Sequence, residues 1–304
     1  MANPAAGRGR ASRLLPLLRA EVASRGTTDV RLTSHAGEET ALAERAARDG
    51  ATTILALGGD GTWGNVARGI MASGTDTRMA LVAAGTGNDL AFSTGVPAHD
   101  LRAAVEVAYG DEEQRIDVGE VDGVHFVNCA GFGFDAEVLR STHDVKWLRG
   151  HAVYLYTAAR MLFTYQAIHA HVLFEGEPST SHHTTSDGSA PHLAVVIANG
   201  PRFGGGFLIA PGAAVDDGIF DVVQIVDAAP LRRAFLFAQL VGGKHVSAPE
   251  VTLRRAPSVT LDFRTPPLFD ADGELHQASS SRLVVRCLPR ALRLAVGARR
   301  RNAD

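Results

Sequence analysis

An aspartate set among glycines follows directly on an apolar run of the chain. Residues 52–57 form a β-rich apolar run, and Gly58-Gly59-Asp60-Gly61-Thr62 comes next. Glycines let backbone N–H groups close on a ligand and tolerate positive φ. A helix that begins after Thr62 would point its positive end into the same space, which suits a phosphate. The segment predicts a phosphate-binding turn in which Asp60 holds magnesium or a substrate hydroxyl. The alternative is a tight strand-to-helix turn without a ligand.

Two more glycine-rich loops lie within the first ninety residues. Residues 78–84 have the pattern of a buried strand, and Gly85-Thr86-Gly87-Asn88-Asp89 follows them. Asp89 could bring a second carboxylate near Asp60, but Asn88 or Asp89 could also simply cap the next helix. The other loop, at residues 3–10, is rich in glycine and arginine and precedes a helix-like stretch. Together the three loops are strong evidence for a phosphate site.

Composition excludes several classes of protein. A chain of 304 residues exceeds one ordinary core, so two domains are expected. The net charge of −3 gives no support for nucleic-acid binding. Cys129 and Cys287 lie in apolar strand-like runs, so we interpret them as small buried side chains and not as a disulfide or metal ligands. The sequence shows no signal peptide and no apolar run of about twenty residues, so no transmembrane segment is expected.

The secondary-structure pattern changes near residues 110–125. Before this point strand-like and helix-like runs alternate, as in a parallel sheet with helices on both faces. After it strand patterns predominate, and only the stretches around 147–163 and 229–241 look helical. We expect an α/β domain over residues 1–118 and a β-rich domain, an antiparallel sandwich, over 119–288. The strand-like runs of the second domain are 124–129, 167–174, 193–198, 220–226, 258–263 and 283–288.

The three loops and three later motifs resemble the diacylglycerol kinase catalytic-domain family. The later motifs are Asn128 to Asp135 (NCAGFGFD), Ala210 to Gly218, and Asp272-Gly273-Glu274. They occur in the family's order and extend over nearly the whole chain. The turn at 58–62 alone is shared with NAD kinases and 6-phosphofructokinases. The loop at 85–89 and the motif at 272–274 narrow the resemblance to lipid kinases, of which sphingosine kinases are distant relatives.

The resemblance implies an ATP-dependent, magnesium-requiring lipid kinase with its cleft between the two domains. It implies the same two-domain layout, with residues 289–304 packed back on the first domain. The expected acceptor is diacylglycerol, converted to phosphatidic acid and reached from the membrane surface. The expected location is the cytoplasm, peripheral on the inner face of the membrane, and a homodimer is left open. Two alternatives remain: a related kinase acting on a sphingoid lipid, NAD or a sugar phosphate, and a non-catalytic nucleotide-binding protein.

A different kind of phosphate loop can be ruled out from the residues. The chain has only two lysines, Lys146 and Lys244, and neither lies in a glycine-rich loop, so a P-loop ending in Gly-Lys-Ser/Thr is excluded. The charge on a transferred phosphoryl group would instead be met by backbone N–H groups, arginine and metal-bound carboxylates. Arg8 and Arg10 lie in the first loop, where a phosphate contact and a solvated position are both open to them.

The resemblance carries over to individual ATP-site residues. Asp60, Asp89 and Asp117 resemble the family's carboxylates that organise magnesium and water around the phosphates. Asp117 lies in a strand-like run, where a charge is costly unless it has a partner. Thr33 matches the family by its spacing to Gly37, although a helix cap would explain it as well. The full ATP-site set is Asn3, Pro4, Ala5, Ala6, Gly7, Thr33, Gly58, Gly59, Asp60, Gly61, Thr62, Trp63, Gly64, Thr86, Asp89 and Asp117.

The resemblance also implies catalytic and metal-binding roles for residues of the second domain. Glu274 would be the general base that takes the proton of the acceptor hydroxyl, and Asp60 would be a second catalytic carboxylate; the alternative for Glu274 is an acidic surface turn. Asp217, with the backbone carbonyls of Ala214 and Ile219, matches a magnesium site, and the competing interpretation is an Asp-Gly hairpin turn. The run from Phe203 to Phe207 sets aromatic residues around glycines, which would suit an entrance for acyl chain or headgroup.

Two features depart from the family pattern. Only Met1 and Ala2 precede the first loop, where a strand of about five to six residues is expected. We expect either a start upstream of Met1 or a sheet that tolerates the loss. In addition, Gly64 replaces a side-chain amide, and Arg68 stands where the family commonly has asparagine. That charge lies near the helix that flanks the acceptor pocket, so it affects the acceptor more than the phosphate donor.

Overall fold

The computed structural model describes residues 1–142, 151–175 and 190–297. Within these residues thirteen strands are hydrogen-bonded into one sheet of mixed direction. The first part of the chain alternates helices and strands, as the pattern predicts. Its elements are α1 (Ala6–Ala23), α2 (Glu38–Arg48), β1 (Thr53–Gly58), α3 (Asp60–Ser73), β2 (Arg78–Ala83), α4 (Asp89–Ser93) and α5 (Leu101–Tyr109).

Strands β1 and β2 are parallel neighbours, and each leads into a helix that begins at a predicted acid. The two strands pair from Thr53–Arg78 to Gly58–Ala83. Helix α3 begins at Asp60, three residues earlier than expected, and α4 begins at Asp89. Because the carboxyl ends of parallel strands meet at one sheet edge, both glycine turns open on the same side.

The residues before the first loop occupy a strand-like position beside β1. Ala2 forms parallel bridges with both Leu32 and Leu57. The amide of Leu57 donates to Met1 O at 3.0 Å, and the amide of Thr33 donates to Ala2 O at 3.0 Å. The loop at Asn3 is therefore anchored on both sides, even though this segment is far shorter than the expected strand.

The second part of the chain is rich in antiparallel strands. Its elements are β3 (Glu113–Val121), β4 (Val124–Phe126), β5 (Cys129–Gly133), α6 (Phe134–Thr142), α7 (His151–Thr164), β6 (Ile168–Phe174), β7 (Ala190–Ala198), β8 (Phe220–Val226), α8 (Pro230–Leu240), β9 (Val251–Ala256), β10 (Ser258–Phe263), β11 (Leu268–Ala271), β12 (Glu274–Gln277) and β13 (Arg282–Ala295). All pairings among β3 to β12 are antiparallel. The predicted fold class, an α/β domain followed by a β-rich sandwich, is confirmed.

Two hydrophobic clusters lie on opposite faces of β7. Val195 and Ile197 point into a cluster with Phe132, Phe220 and Phe269, enclosed by the curved sheet. The alternate residues of β7 pack instead in a second cluster beneath α6, α7 and α8. This period of two, with both faces buried, explains why residues 193–198 of β7 form a continuous apolar run.

Strand β13 joins the two parts of the chain. Its first half pairs antiparallel with β10, from Arg282 to Arg286. From Val285 to Ala295 it also pairs antiparallel with β3, and Leu294 bridges in parallel to Met79 of β2. The register shifts between Leu288 and Leu292, where Arg290 has a φ of 54°.

Some secondary-structure predictions needed correction. The predicted run 124–129 is two strands, because β4 ends at Phe126 and β5 begins at Cys129. Strands β9, β11 and β12 were missing from the predicted set. The predicted helix around 147–163 corresponds to α7 from His151 onward, and residues 147–150 lie outside the described part of the chain. None of the described helices is both long and apolar enough to cross a membrane.

Candidate functional site

The glycine turns after β1 and β2 open into a cavity of about 490 Å³. Residues from both parts of the chain line this cavity, with the turns on one wall and the starts of α6 and of the 203–205 loop on the other. Nine of the predicted ATP-site residues lie in the wall: Asn3, Ala6, Gly7, Gly59, Asp60, Gly61, Thr62, Thr86 and Asp89.

The turns touch one another at their glycines. A Cβ on Gly85 would lie 2.6 Å from the Cα of Gly59, and a Cβ on Gly7 would lie 1.8 Å from Ala84 O. Gly7 also has a φ of 57°, which L side chains rarely adopt. Glycine at these positions lets three backbone segments meet around one space, so their N–H groups can face one ligand.

Asp60 and Asp89 are close enough to interact. Asp60 Oδ1 accepts from the amide of Leu90 at 3.1 Å, and Asp89 Oδ2 accepts from the amide of Gly205 at 2.9 Å. Burial raises the pKa of Asp60 to about 6, and the Asp89 carboxylate contributes to this rise. Burial likewise raises the pKa of Asp89. Asp89 Oδ1 is buried without a hydrogen-bond partner, so this pair of carboxylates fits a bound cation. The side chains of Asn88 and Asp89 do not cap α4.

Several predicted ATP-site residues lie outside the cavity wall. The indole of Trp63 is fully buried in the core and donates to Ala56 O at 3.1 Å, so contact of this residue with ATP stays a prediction. Gly58 packs directly against the side chain of Thr62, which leaves no room for a Cβ. A Cβ on Gly64 would lie 2.9 Å from Asp272 Oδ2, so this glycine is required for packing as well. Thr33 is tied to Ala2 through its backbone. The other two, in the first loop, are Pro4 and Ala5.

Asp117 binds backbone amides away from the cavity, so its place in the ATP site stays a prediction. Its Oδ2 accepts from the amide of Gly218 at 2.7 Å, and its Oδ1 accepts from the amide of Arg290 at 2.7 Å. These two bonds supply the partners that a buried charge in a strand requires. Asp117 thus holds the 216–218 turn against the irregular part of β13.

At the predicted metal site, Asp217 forms an ion pair with an arginine side chain. The carboxylate of Asp217 contacts the guanidinium of Arg255, and it accepts from the amide of Ile219 at 3.3 Å. Across the described ranges, no group of three or more histidine, cysteine, aspartate or glutamate side chains is arranged to hold a metal. A magnesium site at Asp217, Ala214 and Ile219 therefore stays a prediction.

Glu274 lies beside α3 and outside the cavity wall. Its Oε2 accepts from Arg68 at 2.7 Å, and its Oε1 accepts from Asn65 Nδ2 at 2.5 Å. Arg68 also donates to His125 O and Ala271 O, so it joins α3 to β4 and β11. The residue that departs from the family pattern thus fixes the orientation of the predicted base.

Asp272 has a structural role at the turn that carries Glu274. Its carboxylate accepts from three backbone amides, those of Val127 and Asn128 at 2.8 Å and that of Cys129 at 3.1 Å. Asp272 has a φ of 52° and Gly273 a φ of 86°. These bonds hold the turn at 272–274 against the start of β5.

Phe203 and Phe207 lie in different places, the first in the cavity wall and the second in the core. Phe203 lines the cavity and is buried, whereas the Phe207 ring packs against Phe237 with their centroids 5.0 Å apart. Only Phe203 is therefore placed to meet a ligand in the cavity.

Asp135 and Asp270 are cavity acids to which the sequence gave no role. Asp135 lies in the first turn of α6 and is 6% exposed. Its carboxylate lies over Gly131, where a Cβ would be 1.5 Å from Oδ2. Burial raises the pKa of Asp135 to about 6, and that of Asp270 well above its usual value. Gly131 precedes Asp135 by four residues within β5, but nothing in the sequence shows that the Asp135 carboxylate lies over this glycine.

The substitution Asp135→Asn is expected to stabilise the protein at pH 8 by about 3 kcal/mol. A rise of the pKa from 3.8 to about 6 is about two units at about 1.4 kcal/mol each. Since the folded-state pKa is the higher one, the wild type loses this stability as the pH rises from about 4 to about 6. The gain should therefore be near zero at pH 4. Chemical denaturation at both pH values measures it, and an equal gain at both would contradict the prediction.

Comparisons with known proteins agree with this architecture. The family model described as "Diacylglycerol kinase catalytic domain" matches residues 1–121. A second, "YegS C-terminal NAD kinase beta sandwich-like domain", matches residues 128–296.

Several curated proteins resemble this chain over most of its length. A protein of Pseudomonas putida (strain KT2440) named "Probable lipid kinase YegS-like" is 33% identical over 88% of this chain and 84% of its own length. A protein of the same name from Xanthomonas euvesicatoria pv. vesicatoria (strain 85-10) is 30% identical over 88% of this chain and 85% of its own.

A solved structure shares the fold. The crystal structure of a Bacillus anthracis str. Sterne protein described as a "putative diacylglycerol kinase" superposes with a TM-score of 0.75. It is 20% identical in sequence and covers 97% of this chain and 93% of its own. The motifs, the cavity and these matches together show that the chain belongs to the diacylglycerol kinase catalytic-domain family and is a lipid kinase of the YegS-like type.

Proposed function

We propose that this protein transfers the γ-phosphoryl group of ATP to the primary hydroxyl of diacylglycerol, which it reaches from the membrane surface. The observation that carries the proposal is the cavity shared by the two parts of the chain. One wall offers backbone amides at glycine turns, and the other offers Asp135, Leu139 and Phe203. A phosphate suits the first wall, and a headgroup attached to an acyl chain suits the second.

The ATP phosphates would lie against the turns at 58–62 and 85–89. The N-terminus of α3 points into this region and favours negative charge. Among the residues that the structure describes, Arg8 is the one lysine or arginine that lines the cavity. It would supply the charge that a P-loop lysine supplies elsewhere.

Asp60 and Asp89 would hold a magnesium ion. The two carboxylates interact, and Asp89 Oδ1 has no hydrogen-bond partner. When bound, the ion would neutralise charge on the transferred phosphoryl group. Asp217, with the carbonyls of Ala214 and Ile219, is proposed as a second magnesium site, which requires Arg255 to move away from Asp217.

The acceptor hydroxyl would lose its proton to Glu274. The hydroxyl oxygen bonds to the γ-phosphorus, the bond from phosphorus to the oxygen of ADP breaks, and the proton passes to the carboxylate. Arg68 and Asn65 fix the orientation of this carboxylate. Since the turn at 272–274 is held by Asp272, Glu274 is carried on a rigid support, which favours positioning.

The substitution Glu274→Gln is expected to lower kcat by about 10²-fold with little change in the KM for ATP, the effect typical of losing a general base. Glutamine keeps the shape of the side chain and can accept from Arg68 through its single oxygen, with loss of the bond from Asn65, so folding should be retained. Steady-state phosphorylation of diacylglycerol measures the effect. Glu44→Gln, which alters a surface ion pair with Arg48, is the control. A kcat within threefold of the wild type would show that Glu274 is only structural.

Phosphate transfer from labelled ATP to three acceptors, compared side by side, tests the function. The acceptors are diacylglycerol in vesicles, a sphingoid base and NAD. We expect transfer to diacylglycerol that requires magnesium. Transfer to the sphingoid base alone, or to NAD alone, would identify that molecule as the acceptor in place of diacylglycerol. ATP binding without transfer to any of the three would identify a non-catalytic nucleotide-binding protein.

A further inference from the structure

The carboxylate of Asp135 lies in the cavity at a position where the neighbouring residue is a glycine. It follows β5 at the start of α6, and its carboxylate lies over Gly131, with no room for a Cβ there. Gly131 pairs with Asp270 of β11, so the carboxylate rests on the antiparallel pair of β5 and β11. A side chain in this position faces the wall opposite the glycine turns.

Asp135 differs from the other cavity acids in that both of its carboxylate oxygens lack a hydrogen bond of good geometry. Asp60, Asp89 and Asp270 each accept from a backbone amide, and Asp272 accepts from three. Both oxygens of Asp135 are buried without a hydrogen-bond partner, and it makes no ion pair within the described residues. Burying a carboxylate in this state is unfavourable unless a ligand completes it.

The chemistry of the ligand follows from the neighbours of Asp135. A carboxylate repels phosphate and needs a hydrogen-bond donor, such as a hydroxyl. Leu139, one helical turn further along α6, lines the same cavity, and so does the buried ring of Phe203. A donor group attached to an apolar body fits this wall, whereas a nucleotide fits the opposite one.

We propose that Asp135 binds the acceptor lipid before the reaction by accepting a hydrogen bond from its reacting hydroxyl, which turns to Glu274 when the proton is transferred, while Leu139 and Phe203 contact the apolar part next to it. This inference rests on the proposed function. It makes Asp135 a substrate-binding residue on the second part of the chain and assigns it no role toward ATP. The hydroxyl is then held between the carboxylate and the phosphate-binding turns.

The test compares diacylglycerol with an analogue in which hydrogen replaces the reacting hydroxyl. Binding to vesicles that contain each lipid is measured with a non-hydrolysable ATP analogue present. The wild type should bind diacylglycerol about tenfold more tightly than the analogue, as expected for a hydrogen bond to a charged group. Asp135→Leu should bind both equally. In turnover, Asp135→Asn should raise the KM for diacylglycerol about tenfold, with the KM for ATP within twofold of the wild type.

Two controls exclude an effect on folding. Asp135→Asn is expected to be at least as stable as the wild type, so its loss of acceptor affinity cannot come from unfolding. Glu137→Gln makes the same chemical change two residues away in α6, where Glu137 pairs with Arg140 outside the cavity. This variant should keep the wild-type KM for both substrates.

Each outcome bears on one of the two proposals. If the wild type phosphorylates diacylglycerol but Asp135→Leu keeps the preference for the hydroxyl, this inference is overturned and the proposed function stands. If the wild type transfers no phosphate but shows a hydroxyl preference that Asp135→Leu abolishes, the inference about Asp135 stands and the proposed function is overturned. A raised KM for ATP or a raised magnesium requirement in Asp135→Asn would move this residue to the nucleotide wall and would also overturn the inference.

Discussion

Replacing Asp60 by asparagine is expected to reduce kcat by about 10²–10³-fold, the loss typical of removing one preorganised electrostatic group from an active site. Asp60 lies at the first residue of α3, between the two glycine turns, and faces the cavity with Asp89. Without its charge, the cation that we propose between the two carboxylates would be held by Asp89 alone. The magnesium concentration for half-maximal activity should therefore rise as well.

Folding of the Asp60→Asn variant should be intact. The asparagine oxygen can still accept from the amide of Leu90, and the variant buries one charge fewer. Thermal unfolding of the two proteins separates loss of activity from loss of structure. Asp49→Asn, which alters an exposed acid 3.9 Å from Arg45, is the matched control and should retain wild-type kcat. Activity of Asp60→Asn within threefold of the wild type would remove Asp60 from the proposed mechanism.

The substitution Asp272→Ala is expected to destabilise the protein by about 3 kcal/mol. It leaves three buried amides without an acceptor, and each such group typically costs about 1–3 kcal/mol. Relief of a buried carboxylate offsets part of this loss, because burial raises the pKa of Asp272 to about 6. Urea denaturation at pH 8 measures the change. Activity should also fall, since the turn that carries Glu274 loses its anchor.

Asp270→Asn is the matched control for Asp272→Ala. Burial and the neighbouring acids Asp135 and Asp272 raise the pKa of Asp270 well above its usual value, which disfavours its charged form. Asparagine has the same shape and can still accept from the amide of Gly273. Its stability should stay close to that of the wild type. If Asp272→Ala unfolds at the same urea concentration as Asp270→Asn, the three bonds contribute less than we infer.

The local parts of the site could be predicted from sequence because they depend on short-range chemistry. The turns at 58–62 and 85–89 each combine an apolar strand, glycines and an acid within a dozen residues, and both line the cavity. Alternation of apolar runs likewise predicted β1, β2 and the longer strands of the second part. Strands β11 and β12 have four residues each, which is too short for periodicity to show.

The partners of the site residues could not be predicted, because they come from distant parts of the chain. Glu274 meets Arg68 across 206 positions, and Asp272 meets the amide of Val127 across 145. A motif also does not reveal which side of a helix faces a ligand, and so Trp63 was assigned to the site although its indole lies in the core. Asp135 was overlooked for the same reason, since only the folded chain shows that its carboxylate has no partner.

The position of β13 affects how the chain folds during its synthesis. The ribosome delivers β2 more than two hundred residues before Leu294, the residue that bridges to it. Until then one edge of β2 and one edge of β10 have no strand beside them, and open edges of this kind favour aggregation. The nascent protein therefore depends on β13 to close the sheet, and the edge of β2 stays open while the intervening residues are made.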